Sequence, residues 1–286
     1  MSTIRKSTTI LKDAVPIAFD SSTNMYYSIG EEEDATKQIT SVHQITPSHL
    51  ETIPFLDLTN PKIIQRSGVF ISAPSGAGKS SIAVNLAKQY LKILKNKKVP
   101  PKIVYDEVKK RSIATKRNRR VLLFTQATEL DPAFMEEFGQ SEFFHFICIN
   151  GSDEGYMNMK VSDLSNSIVI FDDFIGMSKI IEVFTLTFIK NILEHSRKQD
   201  TQVIIISHQT QEYQKTKSII FECDTYILAP FASQNSCRKF LESYGDVSKE
   251  QIATMIANSN RRFEFLIYHK SYPRYFQSKR NITLLN

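Results

Sequence analysis

Residues 68–81 read G-V-F-I-S-A-P-S-G-A-G-K-S-S: an apolar run, a turn holding two glycines, and the start of a helix. Val69, Phe70 and Ile71 have the unbroken apolar character of a parallel strand covered on both faces. Gly76 and Gly78 free the backbone to wrap its amide N–H groups around a phosphate chain, and Ile82, Leu86, Tyr90 and Leu94 follow at helical spacing. A Gly-Lys-Ser turn alone can be an ordinary helix start. Strand, glycine loop, Lys-Ser and helix in this order make a P-loop. The stretch expected to hold nucleotide is Ala73, Pro74, Ser75, Gly76, Ala77, Gly78, Lys79, Ser80 and Ser81, with Ala73 where the motif usually has its first glycine. Lys79 is expected to bridge the β- and γ-phosphates of ATP. Ser80 would offer its hydroxyl to Mg²⁺, and the positive end of the helix favours the anion.

A second chemical signal lies at Ser167–Asp173, S-I-V-I-F-D-D, four apolar residues closed by two carboxylates. This has the form of a Walker B strand, and its carboxyl end falls at the crevice where α/β sheets bind ligands. Asp172 is expected to hold Mg²⁺ through water, and Asp173 to orient or deprotonate an attacking water. An Asp at the second position is shorter than the Glu common there in hydrolases, and a D-D pair can also simply cap a helix. Its place downstream of a P-loop favours the chemical reading. Another buried strand, Gln202–Ser207, ends in His208 and Gln209. A polar side chain at that tip can bond the γ-phosphate or its water, so Gln209 is the candidate sensor and catalytic residue.

The rest of the chain alternates in the same way. Strands are expected at Val121–Thr125, Phe143–Ile149, Asp224–Leu228 and near Arg262–Tyr268, and helices at about Lys179–Arg197, Ser236–Tyr244 and Ser248–Ala257. His145 reads as a core or edge side chain, since no partner at metal-ligand spacing accompanies it. The expected fold class is α/β, a mostly parallel central sheet flanked by helices. Residues 1–66, with Ser/Thr clusters, E-E-E-D at 31–34 and scattered prolines, read as a loosely structured N-terminal arm able to add an edge strand or clasp a neighbour, and 67–286 as the P-loop domain.

At 286 residues the chain is long enough for one sizeable core. Its three cysteines form no C-x-x-C pair, which fits neither a disulfide framework nor a zinc site and suggests a reducing compartment. No run approaches the roughly 18 apolar residues of a membrane span, and the N-terminus lacks a signal-like apolar stretch, so neither membrane insertion nor export is expected. The net charge of +6 is uneven: Lys92–Arg120 holds twelve Lys/Arg against two Asp/Glu, a local charge of +10. That density suits a polyanion such as double-stranded DNA, or a solvated insertion; V-P-P at 99–101 breaks any helix within it.

The P-loop, the D-D strand and the following strand ending in S-H-Q-T resemble the FtsK/HerA superfamily of P-loop ATPases. More narrowly, the chain looks like the poxvirus-type genome-packaging ATPases of large double-stranded DNA viruses and virophages. The resemblance covers about Ser67–Tyr268, with Ile168–Asp173, Arg197, and Gln209 with Thr210 at the matching positions. It implies a RecA-like fold, ATP and Mg²⁺ as cofactors, and a homo-oligomeric ring that translocates double-stranded DNA into a capsid. Arg197 would then be a catalytic finger acting across a subunit boundary; read from the sequence alone, it is equally a surface cation near a helix end. Host-cell cytoplasm, a virus factory or the virion would be the setting, and capsid proteins would be partners. A HerA-like cellular translocase, a nucleotide kinase and a nucleotide-gated DNA-binding scaffold without turnover remain alternatives.

Overall fold

The computed structural model describes residues 2–9, 15–20, 23–31, 44–45, 50–52, 68–94, 102–106, 110–115, 119–149, 154–208, 213–262, 264–271, 274–278 and 282–285. The N-terminal part holds β1 (Ser2–Ser7), β2 (Val15–Asp20), β3 (Met25–Glu31), β4 (Gln44–Ile45) and β5 (Leu50–Thr52). Next come β6 (Gly68–Ser72), α1 (Lys79–Leu94), β7 (Lys102–Asp106), β8 (Arg111–Thr115), β9 (Arg120–Thr125), α2 (Pro132–Phe138) and β10 (Phe144–Cys148). They are followed by α3 (Glu154–Met157), β11 (Ser167–Asp172), α4 (Lys179–Gln199), β12 (Gln202–Ser207), α5 (Tyr213–Glu222) and β13 (Thr225–Leu228). The chain closes with α6 (Gln234–Tyr244), α7 (Lys249–Ala257), β14 (Leu266–His269), β15 (Tyr275–Gln277) and β16 (Ile282–Leu284).

The fold is α/β. The central sheet runs β10-β9-β11-β12-β6-β13-β14-β15-β16-β4. Its first six strands are parallel, and β14 onward pairs antiparallel. Strand alternation divides the core in two. Val69, Ile71, Val121, Leu123, Ile168, Ile170, Ile204 and Ile206 face α1 and α2, meeting Ala83, Ala87, Tyr90, Phe134 and Phe138. Phe70, Phe124, Val169, Phe171, Val203 and Ile205 face the opposite layer, where α4, α5, α6 and α7 supply Ile189, Ile192, Ile219, Phe240 and Met255. Burial on both faces is why β6, β9, β11 and β12 are continuous apolar runs in the sequence.

Register sets the site. Ser207 lies opposite Ser72, and Asp172 opposite Thr125, so the carboxyl ends of β6, β12, β11 and β9 reach one edge of the sheet together. Asp173 falls one residue beyond its strand, in the left-handed region at φ 49°. This corrects the strand end expected from the apolar run.

Two further expectations change. Within residues 1–66, expected as a loose arm able to add an edge strand, β4 does pair with β16 at the edge of the central sheet, but β1, β3, β2 and β5 also form an antiparallel sheet of their own. Strands of two to seven residues are too short to show a sustained period in the sequence. The basic segment, read as a polyanion-binding stretch or a solvated insertion, contains antiparallel strands β7 and β8, pairing Lys102 with Thr115 through Asp106 with Arg111. Its far end is anchored: the buried Arg119 donates to the Asp200 carboxylate at 2.8 Å, and Arg120 donates to the carbonyl of Asp163. Asp200, at φ 52°, is the left-handed C-cap of α4, so Arg119 ties this end of the segment to the end of that helix.

Candidate functional site

The P-loop leaves β6 as a ladder continuation. Ala73 donates its N–H to the carbonyl of Ser207 (3.3 Å), and its methyl group packs with Ala77 and Ala229 beneath the loop. The loop then turns at Gly76 (φ 73°) and Gly78 (φ 92°), where a Cβ would meet nothing within 4 Å. That open side faces a cleft of about 550 Å³ lined by Ser75, Gly76, Gly78, Lys79, Ser80, Ser81, Asp131, Asp172, Asp173 and His208, among others. Of the expected nucleotide-binding residues, Ala73, Pro74 and Ala77 are absent from that lining.

Lys79 is buried and folded back over its own loop. Its ammonium donates to the carbonyl of Pro74 at 2.9 Å and lies 3.2 Å from Nδ1 of His208. Burial holds the lysine below its ordinary pKa, against the opposing charges of Asp172 and Asp173. His208 is also shifted down, first by burial and then by the Lys79 charge, so at neutral pH its imidazole is neutral and Nδ1 accepts from the ammonium. The sequence places both His208 and Gln209 at this tip and favours Gln209 as the sensor. The structure puts His208 against the lysine, while Gln209 and Thr210 lie outside the described residues. A neutral nitrogen and a carbonyl are partners that phosphate oxygens could replace.

Asp172 closes the cleft from β11. Burial, then the neighbouring Asp173 carboxylate, pushes its carboxyl up to about 6; Lys79 opposes the shift and Asp131 adds to it. Its Oδ1 is buried without a hydrogen-bond partner, the kind of orphaned oxygen that a bound cation would satisfy. Across the cleft, Ser80 donates its hydroxyl proton to Oδ2 of Asp131 at 2.9 Å. Asp131 was not among the expected site residues. D-P at 131–132 is readable as a helix N-cap followed by a first-turn proline, and that is a structural signal. Only the fold brings a residue after β9 to the start of α1.

These residues fit Mg²⁺ and a nucleoside triphosphate. Among the described residues no three His, Cys, Asp or Glu side chains converge on one point. Mg²⁺ characteristically takes one or two protein carboxylates and fills its shell with phosphate oxygens and water. Ser80 and Asp172 are the side chains that would hold it.

The remaining expected residues are placed as follows in the fold. Asp173 borders both the main cleft and a smaller cavity of about 280 Å³ that runs along Phe174–Gly176 and the β12 tip. That loop is fastened: Gln126 donates to the carbonyl of Ile175, and the Gly176 N–H donates to Glu182, which Lys215 pairs at 2.7 Å. Arg197 lies in the last turns of α4, and its side chain is outside the described residues. His145, on the edge strand β10, is exposed.

The raised Asp172 carboxyl gives a pH prediction with a definite sign. Relative to an unfolded value near 3.8, a folded value of about 6 means that this group favours the folded state below about 3.8, and the contribution is lost as pH rises through 6. Cation binding runs the other way because it needs the carboxylate: below pH about 6, Mg²⁺ affinity should fall by up to about tenfold per pH unit. Mg²⁺-dependent binding of an ATP analogue, measured from pH 5 to 8, should show this component in the native chain. Asp172→Asn should retain only the titration of the nucleotide. Equal pH slopes in the two proteins would contradict the assignment.

No protein-family model matches the sequence, and no curated protein matches it. Among solved structures, the chain is similar to the DNA-packaging ATPase B204 of Sulfolobus turreted icosahedral virus, at 11% identity and a TM-score of 0.43, covering 76% of this chain and 98% of that one. It is likewise similar to the genome-packaging NTPase B204 of Sulfolobus turreted icosahedral virus 2 in complex with ATPγS (11% identity, TM-score 0.43, 74% and 96% covered). A third is the conjugation coupling protein TcpA of pCW3 with ATPγS (13% identity, TM-score 0.46, 94% and 77% covered). With identities this low, the roles given to individual residues rest on the geometry above.

Proposed function

We propose that the chain is an ATP-hydrolysing motor that translocates double-stranded DNA, working as a homo-oligomeric ring to package a viral genome. The observation that carries the reading is the cleft itself. Lys79, Ser80, Asp172 and Asp173 arrive there from two strands separated by β12, and each is of the type that phosphoryl transfer to water requires. Lys79 exchanges the Pro74 carbonyl and His208 for phosphate oxygens, and the loop amides around Gly76 and Gly78 orient the chain of phosphates. Ser80 and Asp172 would hold Mg²⁺, which would supply positive charge against the phosphates. Asp173 takes the proton of the attacking water, and Gln209 reports on the γ-phosphate from the β12 tip. Arg197 completes the site of a neighbouring subunit. Host-cell cytoplasm or a virus factory is the proposed setting, with capsid proteins as further partners. Among the described residues no helix is long and apolar enough to cross a membrane.

The DNA grip is assigned to the basic segment. In the sequence between β7 and β8, Lys109 lies outside the described residues; Lys110 is exposed, and Arg111 opens β8. A motor that travels over any sequence needs phosphate contacts, which carry no sequence information directly. Each neutralised phosphate contributes about 0.9 to the slope of log affinity against log salt. Replacing Lys109, Lys110 and Arg111 by Ala should flatten that slope by up to about 3 and weaken binding alike on unrelated duplexes. ATP binding without DNA should stay as it was. A triple variant with an unchanged salt slope would move the grip elsewhere on the chain.

A further inference from the structure

We propose that Asp131 is a positioning residue for the metal: by taking the proton of Ser80, it aims the lone pairs of that hydroxyl at the cation position and keeps Asp172 free to bind there. The inference rests on the nucleotide reading above and deepens it.

A serine hydroxyl has one proton to give and two lone pairs. The same proton could go to Asp172, and a bond there would turn the hydroxyl toward that carboxylate and use one of its acceptor sites. In this chain the proton goes across the cleft to Asp131 Oδ2 at 2.9 Å, and Asp172 Oδ1 is left buried with no partner. Both oxygens therefore remain available to a cation.

Asp131 is fixed for this role. Its other oxygen, Oδ1, accepts the N–H of Ala133 at 2.9 Å, and its carbonyl accepts from Phe134 and Met135, so it is the N-cap of α2. Phe134 and Phe138 bury α2 against the β9 and β11 face of the core, and Lys88 ties α1 to it through Glu137 at 2.8 Å. The carboxylate thus has one oxygen committed to structure and one turned to the P-loop serine. Metal sites commonly use such an outer acceptor to orient a ligand.

The test uses the full chain and a fluorescent, non-hydrolysable ATP analogue, titrated with MgCl₂. Asn caps helices as well as Asp does, so Asp131→Asn should fold with an unchanged melting temperature and bind the analogue without metal as the native chain does. Its amide nitrogen would face Ser80 and take up one of the hydroxyl lone pairs. The Mg²⁺ midpoint should therefore rise about 10- to 100-fold, the range for loss of an outer partner. Ser80→Ala should shift it comparably, and the double variant no further than Ser80→Ala alone, because Asp131 acts through that hydroxyl. Asp131→Ser, which keeps a cap but removes the carboxylate, should match Asp131→Asn.

An unshifted midpoint in both Asp131 variants would overturn the proposal, as would a double variant whose shift is the sum of the two. Lowered melting temperatures with unchanged Mg²⁺ midpoints would assign Asp131 to capping alone. If the native chain shows no Mg²⁺-dependent analogue binding at all, the nucleotide reading has failed, and this inference falls with it.

Discussion

Replacing Lys79 by Ala is expected to remove ATP binding and, with it, turnover. Lys79 is the cation at the mouth of the loop, buried and, among the described residues, held by the Pro74 carbonyl and the neutral His208. Truncating one partner of a desolvated charge pair costs about 2–5 kcal/mol, which is roughly 30- to 4,000-fold in affinity. The upper part of that range is expected because the variant leaves Asp172 and Asp173 facing the phosphates without a counter-charge. Folding should survive, since the lysine contributes a buried charge and no core packing. Titration calorimetry with ATP checks the loss. If subunits share sites, mixing Lys79→Ala chains with Arg197→Ala chains should restore part of the hydrolysis. One supplies an intact finger and the other an intact loop. No recovery in subunits shown to co-assemble would leave Arg197 as a surface cation of α4.

Asp173→Asn is expected to separate binding from chemistry. Asp173 stands at φ 49°, beyond the end of β11 and at the boundary of two cavities. Asn tolerates that left-handed backbone as well as Asp does, so the substitution removes a proton acceptor without strain. Nucleotide and Mg²⁺ binding should persist, while hydrolysis slows by a factor on the order of 10² to 10⁴, the range for losing a general base. Asp172→Asn should do the reverse first, weakening Mg²⁺-dependent binding because the orphaned Oδ1 is the oxygen that would meet the cation. Comparable binding losses in the two variants would dissolve the division of roles.

The parts of this fold that could be read in advance are those where burial on both faces writes itself into the sequence. β6, β9, β11 and β12 appear as runs of Val, Ile, Leu and Phe, and the two most informative ends, Gly76–Ser80 and Asp172–Asp173, follow directly from such runs. β15 and β16 are three residues each and antiparallel, too short to show a period, and they go unread. α5, Y-Q-K-T-K-S-I-I-F-E, turns only a narrow stripe to the core around Ile219 and Ile220, so its helical character is hidden by polar residues. In the site, the sequence points to the strand ends and stops there. Asp131 is 51 residues from Ser80 and looks like a helix cap; its second hydrogen bond exists only because β9 lies beside β11 and α2 folds back over α1. His208 and Gln209 are adjacent polar residues at one strand tip, and no pattern distinguishes them. Geometry does so for His208, through its 3.2 Å approach to Lys79.

The central claim, that this cleft turns ATP hydrolysis into work on DNA, is tested most directly by following phosphate release from ATP with Mg²⁺, with and without duplex DNA, in the native chain and in Lys79→Ala. The account predicts Mg²⁺-dependent release that duplexes of unrelated sequence stimulate alike, with no phosphorylated acceptor formed, and neither release nor stimulation in Lys79→Ala. Release that stays at background when duplex is added, or phosphate transferred to an acceptor in place of water, would contradict it.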